Sequence, residues 1–162
     1  MQTHSSSRVI RAAPEAIFRA FSSAEAIASW RPPQGMTCKV YAFDARQGGS
    51  FRMAFEYAGP EHDVPGKTSA HRDVFHGRFL EWVPNERIVE RVEFETHDPA
   101  FAGAMTVTTT LTAVPSGTEV TILCENVPVG IRPGDHEKGM MSTLENLAAF
   151  TELRTSNQQP DD

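Results

Sequence analysis

Between Met36 and Asn126 apolar residues recur at every second position, and on both sides of that stretch they recur at helical spacing. This change of period restricts the fold more than any other feature of the chain, because a period of two suits only strands and a period near 3.6 only helices. Cys38, Val40 and Ala42 share one strand face, and Lys39, Tyr41 and Phe43 the other. After the Gly48-Gly49 turn, Phe51, Met53, Phe55 and Tyr57 alternate with Arg52, Ala54 and Glu56. A long polar loop, Gly59–Arg72, carries His62 and His71. Strands then follow at Asp73–Val83, with Phe75, Gly77 and Phe79 on one face, and at Arg87–Glu95, with Ile88, Glu90, Val92 and Phe94 together. Ala104–Val114 places Met105, Val107, Thr109 and Leu111 on one side and the threonines 106, 108, 110 and 112 on the other. Pro115-Ser116-Gly117 turns the chain into Glu119–Asn126, where Val120, Ile122 and Cys124 align.

The flanks are helical. A first strand over Thr3–Arg11 stops at Ala13-Pro14, and Pro14 suits the first turn of a helix in which Ala16, Ile17, Ala20 and Phe21 repeat. A second short helix spans Ala24–Trp30 and ends before Pro32-Pro33. At the other end Pro133 opens a long helix with Met140, Met141, Leu144, Leu147 and Ala148 in one stripe. Gly139 interrupts its N-terminal half, which predicts a close approach there, since a helical glycine costs roughly 1 kcal/mol against alanine. The expected architecture is α+β. Two short helices follow the first strand, and a curved antiparallel sheet of about six to seven strands wraps around the C-terminal helix. A chain of 162 residues fits one domain, read as residues 1–154 with a frayed tail at 155–162.

Charge narrows the partners. Fifteen Lys+Arg against 21 Asp+Glu give a formal −6, which opposes binding to nucleic acid or to an anionic membrane surface. No apolar run approaches the roughly 20 residues of a membrane span, and the polar start lacks a signal-peptide core. Two cysteines, Cys38 and Cys124, form no disulfide framework and point to a reducing, cytoplasmic setting.

Several segments together resemble the SRPBCC superfamily, with its START-like and polyketide-cyclase-like members. Within it they are similar to the bacterial branch named for the activator of the ninety-kilodalton heat-shock-protein ATPase. These segments are Ala13-Pro14-Glu15-Ala16-Ile17-Phe18, Trp30-Arg31-Pro32-Pro33, Phe43-Asp44 with Gly48-Gly49-Ser50-Phe51-Arg52-Met53, and Gly77-Arg78-Phe79-Leu80-Glu81 with Pro84-Asn85-Glu86-Arg87. Thr108–Thr112, Gly117–Val120 and Asp135–Met140 followed by Leu144-Glu145-Asn146-Leu147 continue the match, which covers about Val9 to Leu153. The resemblance implies a helix-grip fold around a hydrophobic cavity. It implies little chemistry, because relatives include lipid carriers, hormone binders and polyketide cyclases. The long helix departs from the family pattern at its start, where Arg132 replaces a capping Ser or Thr, although Asp135 still favours the positive end.

Polar groups on the apolar faces are the candidates for chemistry. Asp73, Glu90 and Thr109 fall there, and Glu90 stands among Ile88, Val92 and Phe94. A desolvated carboxylate suits general acid–base work or a ligand's polar head, whereas the plainer role is pairing with an arginine such as Arg52, Arg78 or Arg91. His136, one turn before Met140, points to the mouth of a cleft or simply to solvent at a helix end. These two are the candidate catalytic residues. Trp30, Phe51, Met53, Phe55, Phe79, Glu90, Met105, Met140 and Leu144 are the candidate ligand-binding set, and the same aromatic and methionine side chains equally suit an ordinary core. Histidines are scattered without metal-ligand spacing, and no nucleotide or serine-hydrolase motif occurs, so neither a metal nor a cofactor is expected. The leading functional reading is a binder of a small hydrophobic molecule. A cofactor-independent enzyme of the cyclase or dehydratase type and a protein-interaction module are the alternatives, and a homodimer is left open.

Overall fold

The computed structural model describes residues 2–57 and 72–158. The loop read from Gly59 therefore lies outside the described residues, apart from Arg72. The elements follow in the order β1 (Gln2–Ile10), α1 (Pro14–Ala20), α2 (Ala24–Trp30), β2 (Met36–Phe43), β3 (Ser50–Tyr57), β4 (Arg72–Val83), β5 (Arg87–Phe94), β6 (Ala104–Val114), β7 (Gly117–Val127) and α3 (Pro133–Gln158). The strands form one open antiparallel sheet in the order β1-β7-β6-β5-β4-β3-β2. Placing β1 beside β7 lets α1 and α2 cross from one edge of the sheet to the other. No described helix is long and apolar enough to cross a membrane.

Local chemistry sets the boundaries. Pro14 starts α1, while the Ser23 hydroxyl caps α2 by accepting from the Ala26 amide at 3.1 Å. The turn between β4 and β5 needs a left-handed residue, which Asn85 supplies at φ 65°. At the sharp start of β7, Gly117 has φ 147° beside the Ile10 carbonyl. Beyond the expected helix end, α3 carries on through Gln158, into the segment read as a tail.

Two irregularities change which side chains face inward. The register shifts between Val40 and Ala42, so Phe43 turns inward and meets the Phe79 ring at 5.7 Å between centroids, while Ala42 is exposed. Strict alternation placed these two residues the other way round, because a bulge inserts one residue and inverts every later face. A second shift between Phe79 and Glu81 turns Trp82 inward, where it packs edge-on against Phe79 and Phe18. The helix stripe needs one correction too. Met140, Leu144, Leu147 and Ala148 are buried, but Met141 is half exposed, one residue and about 100° round the helix from Met140.

Concave-face residues line up across the strands. Phe43, Phe51, Gly77, Val92 and Met105 form one row by register, and Phe79, Glu90, Val107, Cys124 and His4 another. Gly77 has a packing reason: a Cβ there would overlap the Arg91 carbonyl oxygen and reach 2.6 Å from Phe51 Cζ. Gly139 has none of that kind. A Cβ at Gly139 would meet only Pro33 Cγ, at an ordinary 3.9 Å, so the close approach expected from the sequence is absent. The two glycines should respond oppositely to substitution. Gly139→Ala is expected to raise stability by up to about 1 kcal/mol through helix propensity, whereas Gly77→Ala should lower it because backbone must move. Denaturant midpoints of both variants check this, and equal shifts of the same sign would contradict it.

Candidate functional site

A carboxylate reaches the middle of the concave face because β5 alternates. Glu90 sits between Ile88 and Val92 in phase, opposite Phe79 on β4 and Val107 on β6, and is 1% exposed. Its partner is none of the arginines nearest in the sequence pattern. Arg31, at the C-cap of α2, brings Nη1 to 2.8 Å from Glu90 Oε1. The proposed partners Arg52 and Arg91 instead pair with Glu95 and Glu93, a different set from the concave-face pair. Sequence distance hides Arg31: it lies 59 positions before Glu90 in the numbering and meets it only because the α2–β2 connection folds over the sheet.

That connection is fastened to α3 by three side chains within about one helical turn. The Ser142 hydroxyl accepts from the Gln34 amide at 2.8 Å, Thr143 Oγ1 donates to the Arg31 carbonyl at 3.0 Å, and Asn146 Nδ2 donates to the Pro32 carbonyl at 2.9 Å. The backbone of Arg31 is thus held while its guanidinium reaches Glu90 on β5. The contact with Glu90 is one of charge. At 2.8 Å the guanidinium is the partner of Glu90 Oε1, an atom that is fully buried. Arg31 keeps some access to solvent, with its side chain 14% exposed against 2% for Glu90.

Both thiols feel Arg31, and Cys124 feels Glu90 as well. Burial pushes Cys124 up to about 12, with Glu90 adding to the rise and Arg31 opposing it. Burial likewise pushes Cys38 up to about 11, against the lowering effect of Arg31. Cys38 is on β2 and Cys124 on β7, so the guanidinium acts on strands near both ends of the curved sheet. Neither thiol is an activated nucleophile at neutral pH.

The expected binding residues divide into groups. Phe51, Met53, Phe79, Glu90, Met105, Met140 and Leu144 are all buried in the core, and Phe55 is partly buried against it. Phe51 and Phe79 meet with centroids 5.1 Å apart and planes tilted by 45°, and Phe55 meets Phe75 edge-on at 4.9 Å. Trp30 is used differently: its indole donates to the Ala20 carbonyl at 2.8 Å and packs on Phe21, joining α1 to α2. His136 goes to another partner, with Nδ1 2.7 Å from Nδ1 of His4 on β1. Arg31 and Trp82 escaped the sequence reading, the first through distance and the second through the bulge. A groove of about 440 Å³ lies apart from this face, lined by Arg19 of α1, Ser22 in the link to α2, Glu25 and Ser29 of α2, and Phe150 and Thr151 of α3. Among the described residues no three His, Cys, Asp or Glu side chains are grouped to hold a metal ion.

The family described as Activator of Hsp90 ATPase homolog 1-like protein matches residues 11–152. A crystal structure of a protein from Chromobacterium violaceum is 34% identical, with a TM-score of 0.81 over 99% of this chain and 100% of that one. The solution structure of an AHSA1-like protein from Aeromonas hydrophila is 16% identical, with a TM-score of 0.72 over 99% of both chains. A crystal structure from Mesorhizobium loti, at 22% identity and a TM-score of 0.70, covers 98% of this chain and 100% of that one. The latter two show likeness of fold. No curated protein matches the chain.

Two expectations follow from the charges. Arg31→Met should cost about 3–5 kcal/mol by leaving Glu90 buried and uncompensated, while Arg31→Met combined with Glu90→Leu should recover most of that loss. Additive losses in a denaturation double-mutant cycle would show that the two groups are not coupled. The second expectation concerns Glu95. Its hydrogen bonds from Arg52, at 2.8 and 3.0 Å, hold its carboxyl below the ordinary range, burial opposes this, and His76 assists. A lowered folded value means stability present above the unfolded value of about 4.3 and lost as pH falls through the folded one. Stability of Glu95→Gln should therefore fall less steeply than that of the parent below about pH 4. Unfolding at a series of acidic pH values checks this, and identical slopes would remove Glu95 from the acid response.

Proposed function

Because the chain belongs to the family of Activator of Hsp90 ATPase homolog 1-like proteins, whose fold commonly binds hydrophobic ligands, we propose that it binds a small hydrophobic molecule between α3 and the concave face of the sheet. The observation that carries this reading is the Arg31–Glu90 pair, set in a wall otherwise made of Phe51, Phe79, Val107 and Met105. A buried ion pair usually stabilises a fold no better than apolar side chains of the same volume. Its place in an apolar wall is better accounted for by a polar group on a ligand than by the needs of folding.

Met53, Met105 and Met140 support the same reading. Unbranched thioethers repack at little cost, so a wall containing them opens around a guest more readily than one of β-branched residues. The α2–β2 connection is the element that would move, because three hydrogen bonds that water can replace hold it to α3. Ligand sites of this kind are mostly apolar with a few placed polar groups.

Native mass spectrometry of the protein purified from its own cells should show a retained small molecule, and an apolar fluorescent probe should bind the native protein at one equivalent. A folded protein that retains nothing and binds no probe would leave the interaction-module reading in its place.

A further inference from the structure

We propose that His4 and His136 form a proton-sensitive clasp between β1 and the start of α3, closed while at most one of the two rings is charged and opened when both are. Nδ1 of His4 lies 2.7 Å from Nδ1 of His136, with the ring centroids 4.9 Å apart and the planes at 65°. A ring nitrogen that carries a proton donates and one that lacks it accepts, so this contact needs one of each.

Gln2 decides which is which. Its Nε2 lies 3.1 Å from the Pro128 carbonyl oxygen and 2.8 Å from that of Ile131, and because carbonyls only accept, the amide orientation is fixed. Gln2 Oε1 therefore faces His4 Nε2, at 3.3 Å, and His4 has to donate there. A neutral His4 thus carries its proton on Nε2 and accepts at Nδ1, which makes His136 the donor through Nδ1–H. The first proton taken up enters at Nε2 of His136 and leaves the bond to His4 in place. A second has to enter at Nδ1 of His4 itself. Two N–H groups and two like charges then face each other, and the contact opens.

The surrounding groups do not relieve that conflict. Cys124 stands opposite His4 on β7, and burial pushes its thiol up to about 12, so it stays neutral. On α3, Arg132, Asp135, Glu137 and Lys138 flank His136, all exposed and two of each sign, so solvent screens fields that already nearly balance. The β7–α3 link supplies the backbone carbonyls of Pro128 and Ile131, and β1 has no charged side chain between Gln2 and Ser7 apart from His4 when protonated. Imidazoles ordinarily take up a proton near pH 6.5, so the clasp is closed at neutral pH and opens in acid. Among the described residues the next side-chain hydrogen bonds from α3 to the rest of the fold begin at Ser142, so opening loosens the first turns of the helix.

Nitrogen-15 NMR of the imidazole rings in the full chain tests the assignment. At pH 8 His136 should be in the Nδ1–H form, the tautomer a free imidazole populates less, and His4 in the Nε2–H form. Hydrogen exchange then reads the opening. Between pH 7.5 and 5 the protection of the Glu137–Met140 amides, corrected for the intrinsic effect of pH, should fall by about fivefold, the worth of one hydrogen bond. His136→Gln should abolish that fall, because its amide donates to a neutral His4 and, turned round, accepts from a charged one. An Nε2–H tautomer at His136, or protection that falls equally in parent and variant, overturns the proposal. Should the variant fail to fold, the tautomers and the parent's own acid profile decide, and either one other than expected overturns it.

Discussion

An open seven-stranded sheet with one apolar face is unstable in water until that face is covered, and α3 is the element long enough to cover it. The rest of the molecule is arranged around that contact. Leu144 and Leu147 are at most 1% exposed, and the stripe that Met140 begins continues through them and Ala148 to Thr151. The buried Thr151 hydroxyl returns its hydrogen bond to the Leu147 carbonyl, so even the polar member of the stripe is satisfied within the helix. Because β1 joins the sheet beside β7, α1 and α2 have to pass over one end of the grip. Trp30 fixes how they do so, through its bond to the Ala20 carbonyl.

The crossing has a chemical consequence. It ends at Arg31, and the three bonds from Ser142, Thr143 and Asn146 hold that residue's connection down on α3. The guanidinium is thereby delivered to the one carboxylate that β5 presents to the concave face. Helix coverage and the polar centre of the wall are therefore not independent features. A change that loosens α3 from the connection also changes the charge environment of Glu90, Cys38 and Cys124.

Other charges meet across neighbouring strands near one edge of the sheet. Arg52, His76, Glu93 and Glu95 pair from β3 to just beyond β5, with the Arg52 guanidinium 4.9 Å from the Tyr41 ring centroid. These groups are partly exposed, so solvent and salt weaken each contact. Among them Glu95, its carboxyl held low by Arg52, contributes to the acid response. The concave pair has the opposite character, with few contacts and little water.

Alternation and helical spacing were enough to read most elements directly, since burial demands a period of two in strands and about 3.6 in helices. Those periods placed α2 over Ala24–Trp30 and put Glu90, Asp73 and Thr109 on the inner face, where all three are buried. They were silent wherever the period broke. The bulges at Val40–Ala42 and Phe79–Glu81 insert a residue without any marker in composition, so Phe43 and Trp82 could be assigned inward only from the observed register. The partner of Glu90 was beyond reach for another reason: pairing depends on where a loop travels, and Arg31 arrives through hydrogen bonds between segments more than 100 residues apart. Sequence determined which groups face the interior, because each strand or helix settles that within itself. Tertiary structure decided which of those groups meet, because that depends on the closure of separate elements upon one another.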